Sequence, residues 1–300
     1  MNAVKALGKH YFAPPCPIAV TTVSAAATPR HEHDLTDVMH YHDFSELVVI
    51  SAGEGIQIIN GVEYPVSGGD VFLLQGFSEH AFRGREKISL VNIQFSPSLL
   101  PMPLAFLRKI PGYNVMFQLE PVLRSPRNFK HRLHLEESEL SKLEGIVMRL
   151  KDELQKQSAG FEAAGFGILL ELIIFISRRH SEIHTHNNAA LVRMGDVISR
   201  LERDYAASWT LKKIARLART SPNNLLRLFK AATGESPIDY LIKIRLHRAA
   251  ELLAGSDLSV TETAFRCGFN DSNYFSKKFN SFYQMPPRKY RMVLPLLKKG

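Results

Sequence analysis

Residues 210–237 read TLKKIARLARTSPNNLLRLFKAATGESP and residues 259–291 read SVTETAFRCGFNDSNYFSKKFNSFYQMPPRKYR. Each stretch parses as a short scaffold helix, a tight turn and a second helix. In the first, Thr210 caps a helix with Leu211, Ile214, Ala215 and Ala218 inward, and Ser221-Pro222 supplies an N-cap followed by proline at the first helical position. Leu225, Leu228 and Phe229 then face in, leaving Asn223, Leu226, Arg227 and Lys230 outside. In the second, Gly268 suits the left-handed backbone of a helix-helix turn and Asp271 caps the next helix. Phe275 and Phe279 face in, while Ser272, Asn273, Ser276, Lys277 and Lys278 face out. Asn, Arg, Ser and Lys are side chains that meet base edges and phosphates.

Between the copies, Pro237 opens a helix predicted to run to about Leu253, roughly 25 Å at 1.5 Å per residue. A rod of that length can hold two reading helices on one face of a duplex, about one 34 Å turn apart. Charge agrees with this placement. Lys and Arg number 18 against 20 Asp and Glu through residue 190, but 20 against 9 beyond it, the footprint of a region that meets a polyanion.

These residues resemble the AraC/XylS family of bacterial regulators. The similar pieces are SPNNLLRLFKAATGESP (221–237), Arg245 and Ala249 in the linking helix, and CGFNDSNYFSKKFNSFYQMPPRKYR (267–291), with Gly268-Phe269, Tyr274-Phe275, Phe279, Pro287 and Tyr290-Arg291 in the family's spacing. The resemblance implies DNA contacts from Asn223, Leu226 and Arg227 in the first reading helix and from Ser272, Asn273, Ser276 and Lys277 in the second. Leu226 is apolar where a polar reader is common, which suits a thymine methyl. Gln284 stands where the family usually has glycine.

The N-terminal part reads differently. Leu47–Ile50, Ile56–Ile59, Val62–Val66, Val71–Leu74 and Ser89–Phe95 are short β-prone runs, and Asn60-Gly61 is a strong hairpin signal. They predict an antiparallel barrel or sandwich. His40, His42 and Glu46, then Gly53, Gly69, Asp70 and His80, resemble the two cupin motifs, although Gln75, Phe77 and Gly84 depart from the second. If one strand holds them, His40, His42, Glu46, Val48 and Ile50 share parity and point into the barrel, with His80 facing them. The four polar residues form an effector pocket in this reading. They also compose a ligand set for a divalent transition metal, so a metal-dependent cupin enzyme fused to a DNA-binding domain is the alternative. The run from His42 to Val49, with the Asn60-Gly61 hairpin, looks like the rhamnose-responsive members.

From Glu136 to Gln157 the residues Leu140, Leu143, Val147, Leu150 and Leu154 form an a/d seam, available either to a homodimer or to intramolecular packing. A second helix over about 161–179 is apolar nearly all round. Residues 97–127 hold six of the sixteen prolines and predict an irregular connection. Cys16 and Cys267 lie far apart, which excludes a disulfide framework and fits a reducing, cytoplasmic setting. Pro14, Pro15 and Pro17 interrupt the only stretch resembling a secretory signal, and no apolar run is long enough to span a bilayer.

The expectation is therefore an α+β two-domain chain: an arm over 1–35, a cupin-like antiparallel β-barrel over 36–127, a helical dimerisation segment over 128–180, a linker over 181–190 and an all-α double helix-turn-helix domain over 191–295. It predicts a sequence-specific transcription regulator, more an activator than a repressor, and not an enzyme. Its predicted partners are operator DNA in the major groove, a small-molecule effector that is a sugar, a second copy of the chain and RNA polymerase. No membrane and no cofactor is expected, the metal alternative resting on the same His40, His42, Glu46 and His80.

Overall fold

The computed structural model describes residues 3–24, 37–75, 78–84, 87–125, 129, 132–183 and 190–297. It divides into two compact units, Met1–Gly195 and Asp196–Gly300, and the division falls within helix α6, Ala190–Arg203. Among the described residues no helix is long and apolar enough to cross a membrane.

Among the described residues of the first unit nine strands make one curled sheet: β1 Val4–Ala6, β2 Ile18–Val23, β3 His40–His42, β4 Ser45–Ile59, β5 Val62–Ser67, β6 Asp70–Leu74, β7 His80–Arg83, β8 Ile88–Phe95 and β9 Leu133–His134. The order is β1-β3-β7-β4-β6-β9, with β5 and β8 also paired to β4 and β2 paired to β8. Every pair is antiparallel except β1 on β3.

One strand organises this sheet. The sequence predicts two runs, Leu47–Ile50 and Ile56–Ile59; the structure joins them into β4, fifteen residues long, with a bulge between Ile50 and Ala52. A bulge adds a residue to one strand and so exchanges its faces. Before it Val48 and Ile50 point into the barrel core, and beyond it Gln57 and Ile59 are the buried residues. Gly53 follows the bulge at φ +83°, and a Cβ there would lie 1.8 Å from the Lys87 carbonyl oxygen, so the close approach of β8 requires glycine. Asn60 and Gly61 turn the chain with φ 49° and 77°, as their sequence signal predicts.

Alternation sorts the apolar residues into two cores. Val48, Ile50, Phe72, Leu74 and Leu90 fill the barrel interior, and Leu47, Val49, Val71, Leu73, Ile93 and Phe95 pack beneath the helices. The proline-rich connection contains α1 Leu104–Leu107, α2 Pro111–Asn114, a π turn Val115–Leu119 and α3 Glu120–Leu123, so it is less irregular than the prolines suggest.

Helices α4, Glu137–Lys156, and α5, Phe161–Ile183, cover the outer core. Here the structure corrects the sequence. Leu143 and Leu150 are fully buried and Val147 nearly so, against Leu169, Leu172, Ile173 and Ile176 of α5, so the a/d seam is intramolecular core and not a free dimer face. Residues 1–35 likewise do not form a plain arm, because β2 pairs with β8 from Ile18↔Phe95 to Val23↔Leu90. The run IAVTTV is β-branched at five of six positions, which suits a pleated, half-buried surface. Residues 25–36 lie outside the described residues, as do 184–189 of the predicted linker, and α5 extends four residues beyond the predicted Arg179 to Ile183.

The second unit is helical: the rest of α6, then α7 Leu211–Leu217, α8 Pro222–Thr233, α9 Pro237–Gly255, α10 Val260–Arg266, α11 Ser272–Tyr283 and α12 Pro287–Leu297. The sequence reading did not identify α6. Side-chain oxygens cap α7, α8, α9 and α11: Thr210 accepts from Lys213 N, Ser221 from Asn224 N, Ser236 from Asp239 N, and Asp271 from the amides of Asn273 and Tyr274. Ser259 and Glu262 form a full capping box. Around α9, Leu246, Ala249, Ala250 and Leu253 pack on Ala264, Cys267, Phe269, Phe275 and Phe279. Arg245 donates to the carbonyls of Tyr205 and Ala207, both at 2.8 Å, and this ties the helix to the preceding loop.

Candidate functional site

The two helix-turn-helix copies superpose along the sequence with one irregularity. The scaffold caps Thr210 and Ser259 are 49 positions apart, as are the left-handed turn residues Arg219 (φ 49°) and Gly268 (φ 85°). The reading-helix caps Ser221 and Asp271 are 50 apart, and so are the closing residues Gly234 and Gln284. The second turn is therefore one residue longer. Counting from the caps, Asn223 matches Asn273, Leu226 matches Ser276 and Arg227 matches Lys277.

Exposure separates these residues. Asn223, Arg227, Asn273 and Lys277 are exposed, whereas Leu226, Ser272 and Ser276 are half-buried. Arg227 donates to Asn224 Oδ1 at 3.0 Å, and Asn224 donates in turn to Thr220 Oγ1 at 2.8 Å, so the guanidinium is held along the helix before any DNA arrives. Ser276 donates its hydroxyl to the Ser272 carbonyl at 2.8 Å, an internal bond that weakens its case as a base reader. Tyr274, 45% exposed in the first turn of α11, lies at the position of Asn224, and Lys278 Nζ sits 5.7 Å from its ring centroid. The sequence reading took Tyr274 only as part of a motif. Its place among the first outward residues after Asp271 is the signal that identifies it.

In the first unit the structure brings together all four predicted pocket residues, though not from one strand. His40 and His42 lie on β3, Glu46 is the second residue of β4 beyond a two-residue bend, and His80 starts β7 as the register partner of His40. All four are at least 93% buried. His42 Nε2 is 3.7 Å and His80 Nε2 3.5 Å from Glu46 Oε2. The rings of His40 and His80 are 4.2 Å apart at their centroids, and His42 stacks on Phe44 at 4.2 Å.

Each imidazole is held from behind. Nδ1 of His40, His42 and His80 lies 2.7, 2.7 and 2.8 Å from the carbonyl oxygens of Val38, Phe44 and Ser78 respectively. A carbonyl only accepts, so Nδ1 of each ring carries a proton, and Nε2 of His42 and His80 is the atom turned towards Glu46. Burial, reinforced by His80, pushes His40 down to about 4. Burial opposes ionisation of Glu46, but contacts from His42 and His80 outweigh it and hold the carboxyl below its ordinary range. The outcome is a buried cluster of three imidazoles around one carboxylate, in which His42 Nε2 and His80 Nε2 lie beyond hydrogen-bond distance of any partner. Residues with this orientation fit a cation, since metal-binding histidines characteristically anchor the second ring nitrogen on a carbonyl or carboxylate.

Sequence reasoning missed three further interior residues. Gln94 and Asn92 of β8 pair in register with Glu46 and Val48, and Gln57 lies beyond the bulge; all are buried, and Gln57 Oε1 and Asn92 Oδ1 lack partners. The shared parity of Leu90, Asn92 and Gln94 carries the signal for two of them. Gln57 is hidden by the bulge.

A sensor-like barrel in one unit and a duplicated reading head in the other define a ligand-controlled DNA-binding regulator. Residues 24–162 match the AraC-like ligand binding domain family, and residues 214–292 match a helix-turn-helix domain family. The chain is 28% identical over 272 residues to the transcriptional activator RhaR of Mannheimia succiniciproducens, covering 91% of this chain and 93% of that protein. It is 29% identical over 252 residues to the activator RhaS of Klebsiella pneumoniae, covering 84% and 86%. Among solved structures, the DNA-binding domain of AdpA in complex with a target DNA is 30% identical over 34% of this chain and 91% of that one, with a TM-score of 0.32. The chain belongs to the AraC family of transcription regulators.

Proposed function

We propose that this regulator activates transcription in response to a sugar, and that Asn223, Arg227, Asn273 and Lys277 read operator bases. The observation that carries the reading is the duplicated, exposed pair of Asn and basic residue at matched positions of two capped helices. Asn reads adenine bidentately, and Arg or Lys reads guanine. Relatives named as activators, RhaR and RhaS, align with both units and support the direction of control. RNA polymerase is then a partner of the DNA-bound state, and the working compartment is the cytoplasm.

A hydroxylated effector fits the barrel because Gln57 Oε1 and Asn92 Oδ1 are buried acceptors awaiting donors. The pocket is read as recognition without turnover. Footprinting of promoter DNA with and without L-rhamnose and related sugars tests this function. A protected site whose occupancy or transcript output changes with one sugar is the expected result, and protection indifferent to every sugar removes the effector reading.

A homodimer remains part of the proposal, with the surface moved. Because the α4 seam is core, the face left for a second copy is the outer side of α5. There Gly167 has open space around its missing Cβ, and half-buried Ile174 lies one heptad further on. An antiparallel copy crossing near Leu170 sets each Ile174 into the other's Gly167 gap.

A further inference from the structure

We infer that Tyr274 and Lys278 form a clamp on one backbone phosphate of the operator, alongside the second reading helix α11. The inference rests on the reading of Asn273 and Lys277 as base contacts, and it adds the contact that holds the helix against one strand.

Helix geometry places the pair. Successive residues of an α-helix are rotated by about 100°, and with its side chains the helix is about 10–12 Å across. It nearly fills a major groove about 12 Å wide, so a helix whose base readers point at the floor turns its flanks towards the two phosphate walls. Tyr274 and Lys278 each follow a proposed base reader by one residue, so both lie on the same flank, one turn apart. Ser272 and Ser276 precede those readers by one residue and occupy the opposite flank. That flank is short and half-buried, with the Ser276 hydroxyl committed to the Ser272 carbonyl at 2.8 Å.

The Tyr274 flank is arranged before DNA arrives. Tyr274 is 45% exposed, and Lys278 Nζ lies 5.7 Å from its ring centroid. The Tyr274 ring stands 6.3 Å from that of Phe269, a buried residue of the turn, and the Arg245 guanidinium lies 5.8 Å from the Phe269 ring. Helix α11 itself holds two lysines and no carboxylate, so nothing on the helix neutralises Lys278. A phosphate oxygen only accepts, and the Tyr274 hydroxyl and the Lys278 ammonium both donate. The first head is built differently: Asn224 stands at the Tyr274 position, tied to Thr220 and Arg227, and half-buried Leu228 stands at the Lys278 position. The two heads therefore differ in their grip on the backbone as well as in their readers.

Binding of the full-length chain to footprinted operator DNA and to a random duplex of equal length, followed by fluorescence anisotropy over a salt series, tests the clamp. Lys278→Gln should weaken both complexes by the same factor, roughly eightfold at 0.1 M salt, and flatten the slope of log affinity against log salt by about 0.9, the value for one phosphate. Tyr274→Phe keeps the ring beside Lys278 and removes the donor, so affinity should fall about fivefold with the slope unchanged. Lys278→Arg should restore the slope. Ethylation of one phosphate at the second sub-site should weaken binding of the unsubstituted chain and leave Lys278→Gln indifferent. An unchanged slope in Lys278→Gln overturns the inference, as does a loss confined to particular base pairs. Both variants should keep the native circular dichroism, and an unsubstituted chain with no interfering phosphate at the second sub-site overturns the inference even if they do not. Base preference, measured in parallel on Asn273→Ala, separates the two readings. A flattened slope in Lys278→Gln with base preference intact in Asn273→Ala keeps the clamp and removes the base reader; lost preference with an unchanged slope does the reverse.

Discussion

Gly234 and Gln284 close the two reading helices with the same left-handed backbone, at φ 81° and 56° respectively. Glycine adopts that conformation freely, while a residue with a Cβ does so at a cost of roughly 1–2 kcal/mol. Gln284 recovers part of it by donating to the Ser281 carbonyl at 2.8 Å. Gln284→Gly should therefore stabilise the second unit by about 1 kcal/mol, read as a higher urea midpoint with an unchanged slope. A lower midpoint would mean that the side-chain bond outweighs the backbone strain.

Arg227→Ala and Asn273→Ala should each lose discrimination at their own base pairs, by roughly 1–3 kcal/mol for a bidentate contact. The losses should fall in different halves of the site. Binding to a panel of single-base operator variants reads them out, and equal weakening on specific and random DNA would assign both residues to phosphate contact.

The two helices α4 and α5 call for opposite results. Leu150 is fully buried in the core, so Leu150→Ala should cost roughly 2–5 kcal/mol in stability. Ile174→Glu, on the outer face of α5, should leave the fold intact and convert dimer to monomer in sedimentation. A folded dimer from Ile174→Glu would place the interface elsewhere.

Cys267 offers a pH test away from either site. Burial pushes its thiol up to about 11, against smaller lowering by Arg245. A raised pKa in the folded state stabilises it below the ordinary thiol range, and that contribution is lost as pH climbs from about 9 towards 11. The urea midpoint of the second unit should fall over that interval more steeply in the unsubstituted chain than in Cys267→Ala. The native thiol should also resist alkylation at pH 8, since the thiolate is the reactive form. Parallel pH curves for the two proteins would show that Cys267 is not the group responsible.

Glu46→Gln should abolish the sugar response while changing effector-free operator affinity by less than about threefold, because the residue lies in the other unit from the reading helices. Fluorescence anisotropy with labelled operator measures both. A large loss of effector-free affinity would instead tie the pocket to assembly of the DNA-binding form.

The helical half was legible because its signals are local. Thr210, Ser221 and Asp271 cap helices where their side chains say they should, and Phe229, Phe275 and Phe279 are fully buried. The pocket residues were legible by type and not by mechanism: His40, His42 and Glu46 converge from two strands and not from one shared parity. Gln57 was not legible, because a bulge with no composition of its own moved it to the inner face. The Leu143 to Leu150 stripe shows a different limit. Spacing of 3 and 4 fixes which side of a helix is apolar but not whose side chains cover it, and here α5 of the same chain does. β2 escaped notice because prolines before it and small residues after it look like an arm, whereas its pairing is set by β8, some seventy residues away.

The extra residue in the turn between α10 and α11 gives the protein a sense of direction. Two identical reading heads arranged in tandem could exchange their sub-sites with little penalty. Here the second head carries Phe269-Asn270 where the first has Thr220 alone, so each reading helix leaves its scaffold from a different point. If Asn273 and Lys277 at one head and Asn223 and Arg227 at the other read bases as proposed, they meet DNA in different poses. A site read by one chain has a head and a tail, and reversing it in a promoter writes a different message, not the same one backwards.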